Sequence, residues 1–532
     1  MKTFKKSVCL LLAFAMCFTV TACRRLRSNG SSYLSDSDSQ VIMGEVEIIE
    51  DNGGTAASTG GSKGSKGSND KTSSSHTSGS QNHSSSGDGD AAYSQGKLPS
   101  FSKKQFDLSG FWAPYDISEA GLKLYKDVGF TTLAMINHSG ERTSDEQFYL
   151  GSNRTLKALE GCKKVGLKAI LNYNDWIAIS SSGNKNYYSN KPFSQYDIYG
   201  EYKDIITGIH IVDEPHKKDH FPVYSQKTLI DDFKNVYPNA DYIVNLIPYT
   251  AYADRGFSSY EEMMEMYENL YMSQTKNPYV SVDVYPFHEG NTRDDQTLAM
   301  NYEYIAEAAK KYGVKPCFIL QASVGGGEFE MPLDENDLRW EINAALAFGA
   351  DKLQYYCYSV PRSYENGKYT YMYDNCILNQ DDTPSQVYYD LQKLHKEIQS
   401  FADVILSYDW DQSIGVTSFS EKTYRVGSFK YYDDREYGKL QNAKYFASAT
   451  ASRDLVISRF ESKQHGEAYM FVNFTYRGKI NNVVATFKDC GYVAVYGGSK
   501  WSSTPKIEKL DKDGKLKLDL KYGEGAFIIP LV

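Results

Sequence analysis

The chain reads as an α/β protein: a (β/α)8 barrel followed by an antiparallel β-sandwich. Three observations predict this. Eight apolar, strand-forming runs alternate with segments of helical spacing between residues 106 and 358. From the second run onward their starts fall 36 or 37 residues apart. Beyond residue 400 the helical spacing gives way to short runs broken by Gly, Asn, Asp and Ser.

Residues 1–22 are expected to be a signal peptide. Lys2, Lys5 and Lys6 precede an apolar run from Val8 to Val20, and small residues follow. The tetrapeptide Val20-Thr21-Ala22-Cys23 resembles a bacterial lipobox, which implies cleavage before Cys23 and lipid on its sulfur. The apolar run is shorter than the roughly 20 residues that span a bilayer, so a lipid anchor is favoured over a transmembrane one. The expected location is the extracellular face of the bacterial cell membrane. Residues 23–100 add to Cys23 a Ser/Gly-rich tether, exemplified by Ser58-Thr59-Gly60-Gly61-Ser62, with too little apolar area to offset the entropy of ordering it. About 70 such residues reach roughly 45 Å.

The barrel is expected over residues 101–403. Its strand runs are Phe106 to Trp112, Thr131 to Ile136, Lys168 to Tyr173, Ile205 to Val212, Tyr242 to Ile247, Tyr279 to Tyr285, Pro316 to Gln321 and Lys352 to Tyr358. Helical spacing joins them, as in Leu156, Leu159, Cys162 and Val165, or Tyr304, Ile305, Ala308 and Tyr312. Ser258 with Glu261 predicts a capping box, and Asp334 with Asp337 predicts a cap for the seventh helix. A doubly wound open sheet is the competing architecture, but the chain has no Gly-rich phosphate turn.

Thr383-Pro384-Ser385 opens a helix to about Ser400, and residues 404–532 form the expected sandwich. Its runs include 454–460, 468–474, 483–487 and 492–496. The last two runs, 515–520 and 526–531, read as a terminal hairpin about Lys521-Tyr522-Gly523-Glu524-Gly525.

Composition excludes some partners. The net charge is −9, and the portion from Phe101 onward carries about −10, which argues against nucleic acid or anionic lipid as its ligand. Of eight cysteines, Cys9 and Cys17 leave with the signal and Cys23 is the anchor. Cys162, Cys317, Cys357, Cys376 and Cys490 remain, an odd set without the spacing of a disulfide framework or zinc site. No strand carries a paired-His metal pattern, so no cofactor is expected.

The fourth run ends in Asp213-Glu214-Pro215, which delivers acids to the carboxyl-terminal mouth of a barrel, where barrel active sites lie. Adjacent strand residues point to opposite sides, so Asp213 and Glu214 share a site only if the strand has ended. Four stretches carry a family resemblance: Gly208-Ile209-His210-Ile211-Val212-Asp213-Glu214-Pro215, Asp283-Val284-Tyr285-Pro286-Phe287, Ala347-Phe348-Gly349-Ala350-Asp351, and Tyr522-Gly523-Glu524-Gly525-Ala526-Phe527. Over residues 106 to 531 the chain resembles glycoside hydrolases of the large retaining barrel clan, most nearly the β-galactosidase-like family 42 enzymes.

The resemblance implies hydrolysis of a glycosidic bond with Glu214 as general acid/base. It also exposes two departures. Asp213 stands where the clan has an Asn that meets the sugar 2-hydroxyl, and an ionised Asp can only accept. Gln321 stands where the clan has its nucleophile. Asp283 is the first candidate for the missing carboxylate, and Glu328 the second, with Glu330 beside it in the glycine loop 325–327. Trp112, Asn137, Asn172, Trp176, Asn245, Tyr285, Gln321, Tyr356 and Tyr358, all near strand ends, are expected with Asp213 to bind sugar through flat faces and amide or phenol groups. His210 reads as a core histidine. Two functions follow: a surface glycoside hydrolase acting on an oligo- or polysaccharide, or a glycan-binding lipoprotein on a barrel without catalysis.

Overall fold

The computed structural model describes residues 96–137, 148, 152–172, 199–218, 234–274, 279–288, 292–327, 329, 333–365, 367–416, 423–424 and 440–532. The signal region, Cys23, the tether before residue 96, Trp176, Glu328 and Glu330 lie outside them. The chain divides into a unit over 1–92 and a compact unit over 93–532, and all described residues fall in the second.

Eight parallel strands build the barrel: β1 (Asp107–Gly110), β2 (Thr132–Ala134), β3 (Lys168–Asn172), β4 (Ile206–Asp213), β5 (Asp241–Leu246), β6 (Ser281–Asp283), β7 (Cys317–Gln321) and β8 (Lys352–Tyr356). Their spatial order is β1-β8-β7-β6-β5-β4-β3-β2. The ends of the sheet meet, because the Thr131 amide donates to Leu108 O at 2.8 Å and the Ala113 amide to Ile136 O at 3.0 Å. Phe111, Ile170, Ile243 and Ile319 cluster together as the barrel interior, while Leu108, Ala169, Leu171 and Leu353 join the layer beneath the helices.

Around the barrel lie α1 (Glu119–Asp127), α2 (Asn153–Val165), α3 (Tyr260–Leu270), α4 (Asp295–Tyr312), α5 (Glu335–Ala347) and α6 (Gln386–Ile405). Asp334 and Asp337 form the expected capping box of α5. The cap of α3 sits one residue later than expected: Ser259 accepts from the Glu262 amide, and Ser258 donates through its amide and hydroxyl to the Glu262 carboxylate. Helix α6 runs past Ser400 to Ile405, because Phe401, Ala402, Val404 and Ile405 continue its buried stripe. After β8 the chain forms a two-stranded ribbon, β9 (Arg362–Glu365) and β10 (Lys368–Tyr371).

The sandwich comprises β11 (Asp409–Val416), β12 (Phe446–Ala451), β13 (Leu455–Ser462), β14 (Gly466–Asn473), β15 (Asn481–Phe487), β16 (Tyr492–Gly498), β17 (Lys506–Lys509), β18 (Lys515–Leu520) and β19 (Gly525–Leu531). One sheet has the order β11-β13-β14-β19-β16-β17, with the short strand Thr423–Tyr424 at its outer edge, and the other β12-β15-β18. The expected terminal hairpin is therefore corrected, since β18 and β19 belong to different sheets. Every residue of β19 is buried, which suits a central strand, whereas β18 alternates exposed and buried residues at the edge of the smaller sheet.

Helix α5 joins barrel to sandwich. Asp337 accepts from Tyr522 Oη and, at 3.2 Å, from Arg477. Asn343 donates to Gly523 O at 2.7 Å and accepts from Trp501 Nε1 at 2.8 Å. Arg293 lies 3.6 Å over the ring of buried Trp340 and donates to Phe474 O at 2.8 Å. The packed chain also begins before the expected limit at residue 100. Leu98 and Phe101 pack on the main core, and Gly96 lies so close to Val532 that a Cβ there would come within 2.7 Å of its backbone.

Candidate active site

The fourth strand owes its chemistry to two local irregularities. Regular alternation would turn His210 and Val212 inward and Asp213 outward. The register of β4 against β5 slips between His210 and Val212, so that Asp213 pairs with Asn245. Such a bulge re-aims a side chain. His210 remains inside the barrel, edge-on to Phe111, and Val212 joins the outer core. The strand then ends, and Glu214 turns with φ +44° into the left-handed region, costly for a residue with a Cβ. Both acids thereby belong to one site.

Asn245 organises that site. Its amide nitrogen donates to Asp213 Oδ1 at 3.0 Å and to Asp283 Oδ1 at 2.8 Å. Sharing one nitrogen holds the two oxygens within about 5 to 6 Å of each other. The Asn245 carbonyl oxygen accepts from Ser281 Oγ at 3.2 Å, which fixes which end of the amide faces the acids. Glu214 is ion-paired with Arg255, whose Nη1 also lies 3.2 Å from His216 Nε2, and the Glu214 amide donates to Asn245 O at 3.0 Å.

Asp213 and Asp283, held on one donor, resist simultaneous ionisation. Asp213 is pushed up to about 7, first by desolvation and then by the charge of Glu214, against the opposing pull of Asn245 and Arg255. Solvent reaches this side chain through the mouth although protein crowds its carboxyl, so both exposure and desolvation apply. Asp283 is buried and raised well above the usual carboxylate range, by desolvation first and then by Glu214 and Asp213. The Asp213–Asp283 pair thus retains a proton near neutral pH. His210, buried and with no partner for Nε2 among the described residues, is lowered to about 3 by desolvation.

Aromatic rings line one side. Tyr285 stacks on Tyr356 and Trp112 meets it edge-on, each with centroids 5.0 Å apart; Phe329 and Tyr373 extend the group. The remaining expected sugar contacts lie differently. Asn137 donates to Phe148 O at 2.9 Å and accepts from its amide at 2.6 Å, while Asn172 donates to the same carbonyl at 3.0 Å. Their amides hold the chain at Phe148. Gln321 is corrected outright. It is fully buried, exchanges hydrogen bonds with the Phe287 backbone at 2.9 and 3.1 Å, and offers nothing to the mouth. Tyr358 is corrected too, because its ring packs on Tyr125 and Phe130 beneath the helices.

Arg255, His216 and Ser281 were not legible as site residues. Arg255 follows β5 in a 3-10 turn, Tyr249–Arg255, and only the need of an acidic mouth for a cation could have singled it out. Among the described residues, no group of three or more His, Cys, Asp or Glu is arranged to hold a metal ion.

No protein-family model matches the chain, and no curated protein matches it. Among solved structures it is similar to a family 39 glycoside hydrolase from the gut symbiont Bacteroides cellulosilyticus WH2, at 11% identity over 80% of each chain with a TM-score of 0.44. It is similar to an endo-β-1,4-mannanase from Thermotoga petrophila at 11% identity, over 79% of this chain and 98% of that one, with a TM-score of 0.35. A cold-adapted β-galactosidase from Rahnella sp. R3 matches at 11% identity over 61% of this chain and 59% of that one, TM-score 0.41. At these scores the likenesses carry no argument about activity.

Proposed function

We propose that the chain is a glycoside hydrolase that cleaves O-glycosidic bonds of an oligo- or polysaccharide by carboxylate acid/base catalysis. The observation that carries this reading is the Asp213–Asn245–Asp283 bridge beside Glu214 at the barrel mouth. Glycosidic cleavage needs one carboxyl that keeps its proton at working pH and another that does not. The Asp213–Asp283 pair supplies the first, with Asp213, the solvent-reached member, as donor to the leaving oxygen. Glu214, ion-paired with Arg255, takes the part of the second carboxylate. This moves the proton from Glu214, where the family resemblance put it, to its neighbour. The rings of Trp112, Tyr285 and Tyr356 give a sugar its flat contact. The four motif stretches lead us to place the enzyme near the β-galactosidase-like family 42.

The test is release of reducing ends from a panel of aryl glycosides and plant polysaccharides. Asp213→Asn and Glu214→Gln should each lower kcat/KM by about 10²- to 10⁴-fold. Wild type inert toward the whole panel yet still binding polysaccharide would support the second reading, a glycan-binding barrel. Gln321, locked in place of a carboxylate, favours that alternative. We further propose a lipid anchor at Cys23 that holds the enzyme at the outer face of the cell membrane. Cys23→Ser should release it from the membrane fraction, and unchanged membrane retention would refute the anchor.

A further inference from the structure

The ribbon after β8 has two unlike faces. Its register pairs Arg362 with Tyr371 and Tyr364 with Tyr369, so these four side chains share one face, while Ser363, Thr370 and Lys368 share the other. Tyr364 and Tyr369 are 56% and 55% exposed, and their rings lie 4.9 Å apart. Among the described residues they are the one adjacent pair of large exposed apolar side chains; Tyr389, Ile480 and Val532 are scattered. A contiguous exposed aromatic face marks a binding surface.

The face is held in place and leads to the active site. The Arg362 guanidinium lies 4.3 Å from the Tyr115 ring centroid and 5.3 Å from that of Tyr369, and it is bonded to Asp382 at 2.9 Å. The Arg362 amide takes Tyr115 Oη as acceptor at 3.2 Å. Tyr371 follows Tyr369 at 6.3 Å and packs, with Met372, on the buried cluster of Phe329, Cys357, Val360, Tyr373 and Cys376, against which Trp112, Tyr285 and Tyr356 also pack. The exposed pair is therefore joined through Tyr371 to the same buried cluster that carries the rings of the mouth. Asp382 offsets the charge of Arg362, so the face suits an uncharged ligand.

We propose that Tyr364 and Tyr369 form a remote subsite that stacks on pyranose rings of a neutral polysaccharide whose chain continues to the barrel mouth. This names the substrate class of the hydrolase proposed above and rests on that reading. Stacking needs the ring faces of the tyrosines, and the clamp at Arg362 spares the cost of ordering them on binding.

The experiment uses the full chain carrying Asp213→Asn, run in native affinity gels cast with β-1,4-galactan, galactomannan, arabinoxylan, xyloglucan or starch. At least one polymer should retard it. Adding Tyr364→Ala and Tyr369→Ala should weaken that affinity about tenfold or more, roughly 1.4 kcal/mol. The pair Tyr364→Phe and Tyr369→Phe keeps the rings and should bind within about twofold of the parent, as should Ser363→Ala with Thr370→Ala on the opposite face. The subsite is overturned if no polymer retards the parent or if the alanine pair binds like it. It is also overturned if the alanine pair converts a dimer to a monomer in sedimentation, which would make the face a contact between copies. Tyrosine-dependent retardation in a chain whose wild type hydrolyses none of the polymers would sink the hydrolase and leave the subsite. Hydrolysis without dependence on the tyrosines would do the reverse.

Discussion

Asp213 should give the enzyme a pH signature. If its proton goes to the leaving oxygen, kcat/KM falls as pH rises through about 7, where the carboxyl ionises. In Asp213→Asn that limb should vanish along with most of the rate. Stability should move the same way. A carboxyl raised in the fold binds its proton more tightly than in the unfolded chain, so between the usual value near 4 and about 7 the native state loses stability as pH rises. Melting of wild type against Asp213→Asn across that window checks the sign. Asn245 acts through both acids, and its hydrogen bonds favour their ionised forms. Asn245→Ala should therefore shift the basic limb to higher pH, which loss of packing alone would not do; an unmoved limb would remove the positioning role. The acids were legible because they close an apolar run. Asn245 was legible as a strand-end amide, but not as their bridge, since that depends on a one-residue slip in β4 that no residue type announces.

Helix α5 shows how far local rules reach. Its capping box was readable from Asp334 and Asp337. Asp334→Ala should cost about 1 kcal/mol in urea unfolding. Asp337→Ala should cost more, roughly 2 to 3 kcal/mol, because it also strands Tyr522 and Arg477 at the sandwich. Equal losses from the two would show that the sandwich contacts contribute little. The strand periodicity gave all eight barrel strands to within a few residues, because each buries apolar side chains on both faces and must recur at the length of one strand and helix. It could not reveal that β18 and β19 part company. Sequence neighbours with a short polar turn read as a hairpin, and only the burial of β19 on both faces, a property of the assembled sandwich, sends it to the other sheet.

One face of the larger sandwich sheet joins the barrel's core, where Trp340 meets Phe287, Arg293 and Phe474, while the space between the two sandwich sheets is filled by a cluster of its own. We expect calorimetry to give one cooperative transition for the two together, and Trp340→Ala to lower stability by about 3 to 5 kcal/mol. Two separate transitions in the wild type would contradict this. The contact of Gly96 with Val532 has a consequence for the topology of the chain. Gly96 and Val532 lie side by side, so a short peptide could join them and new termini could be opened elsewhere. Gly367, in the exposed turn of the ribbon with open space around it, is the place to cut. A circular permutant opened there should keep both domains folded while releasing the aromatic ribbon from its own turn.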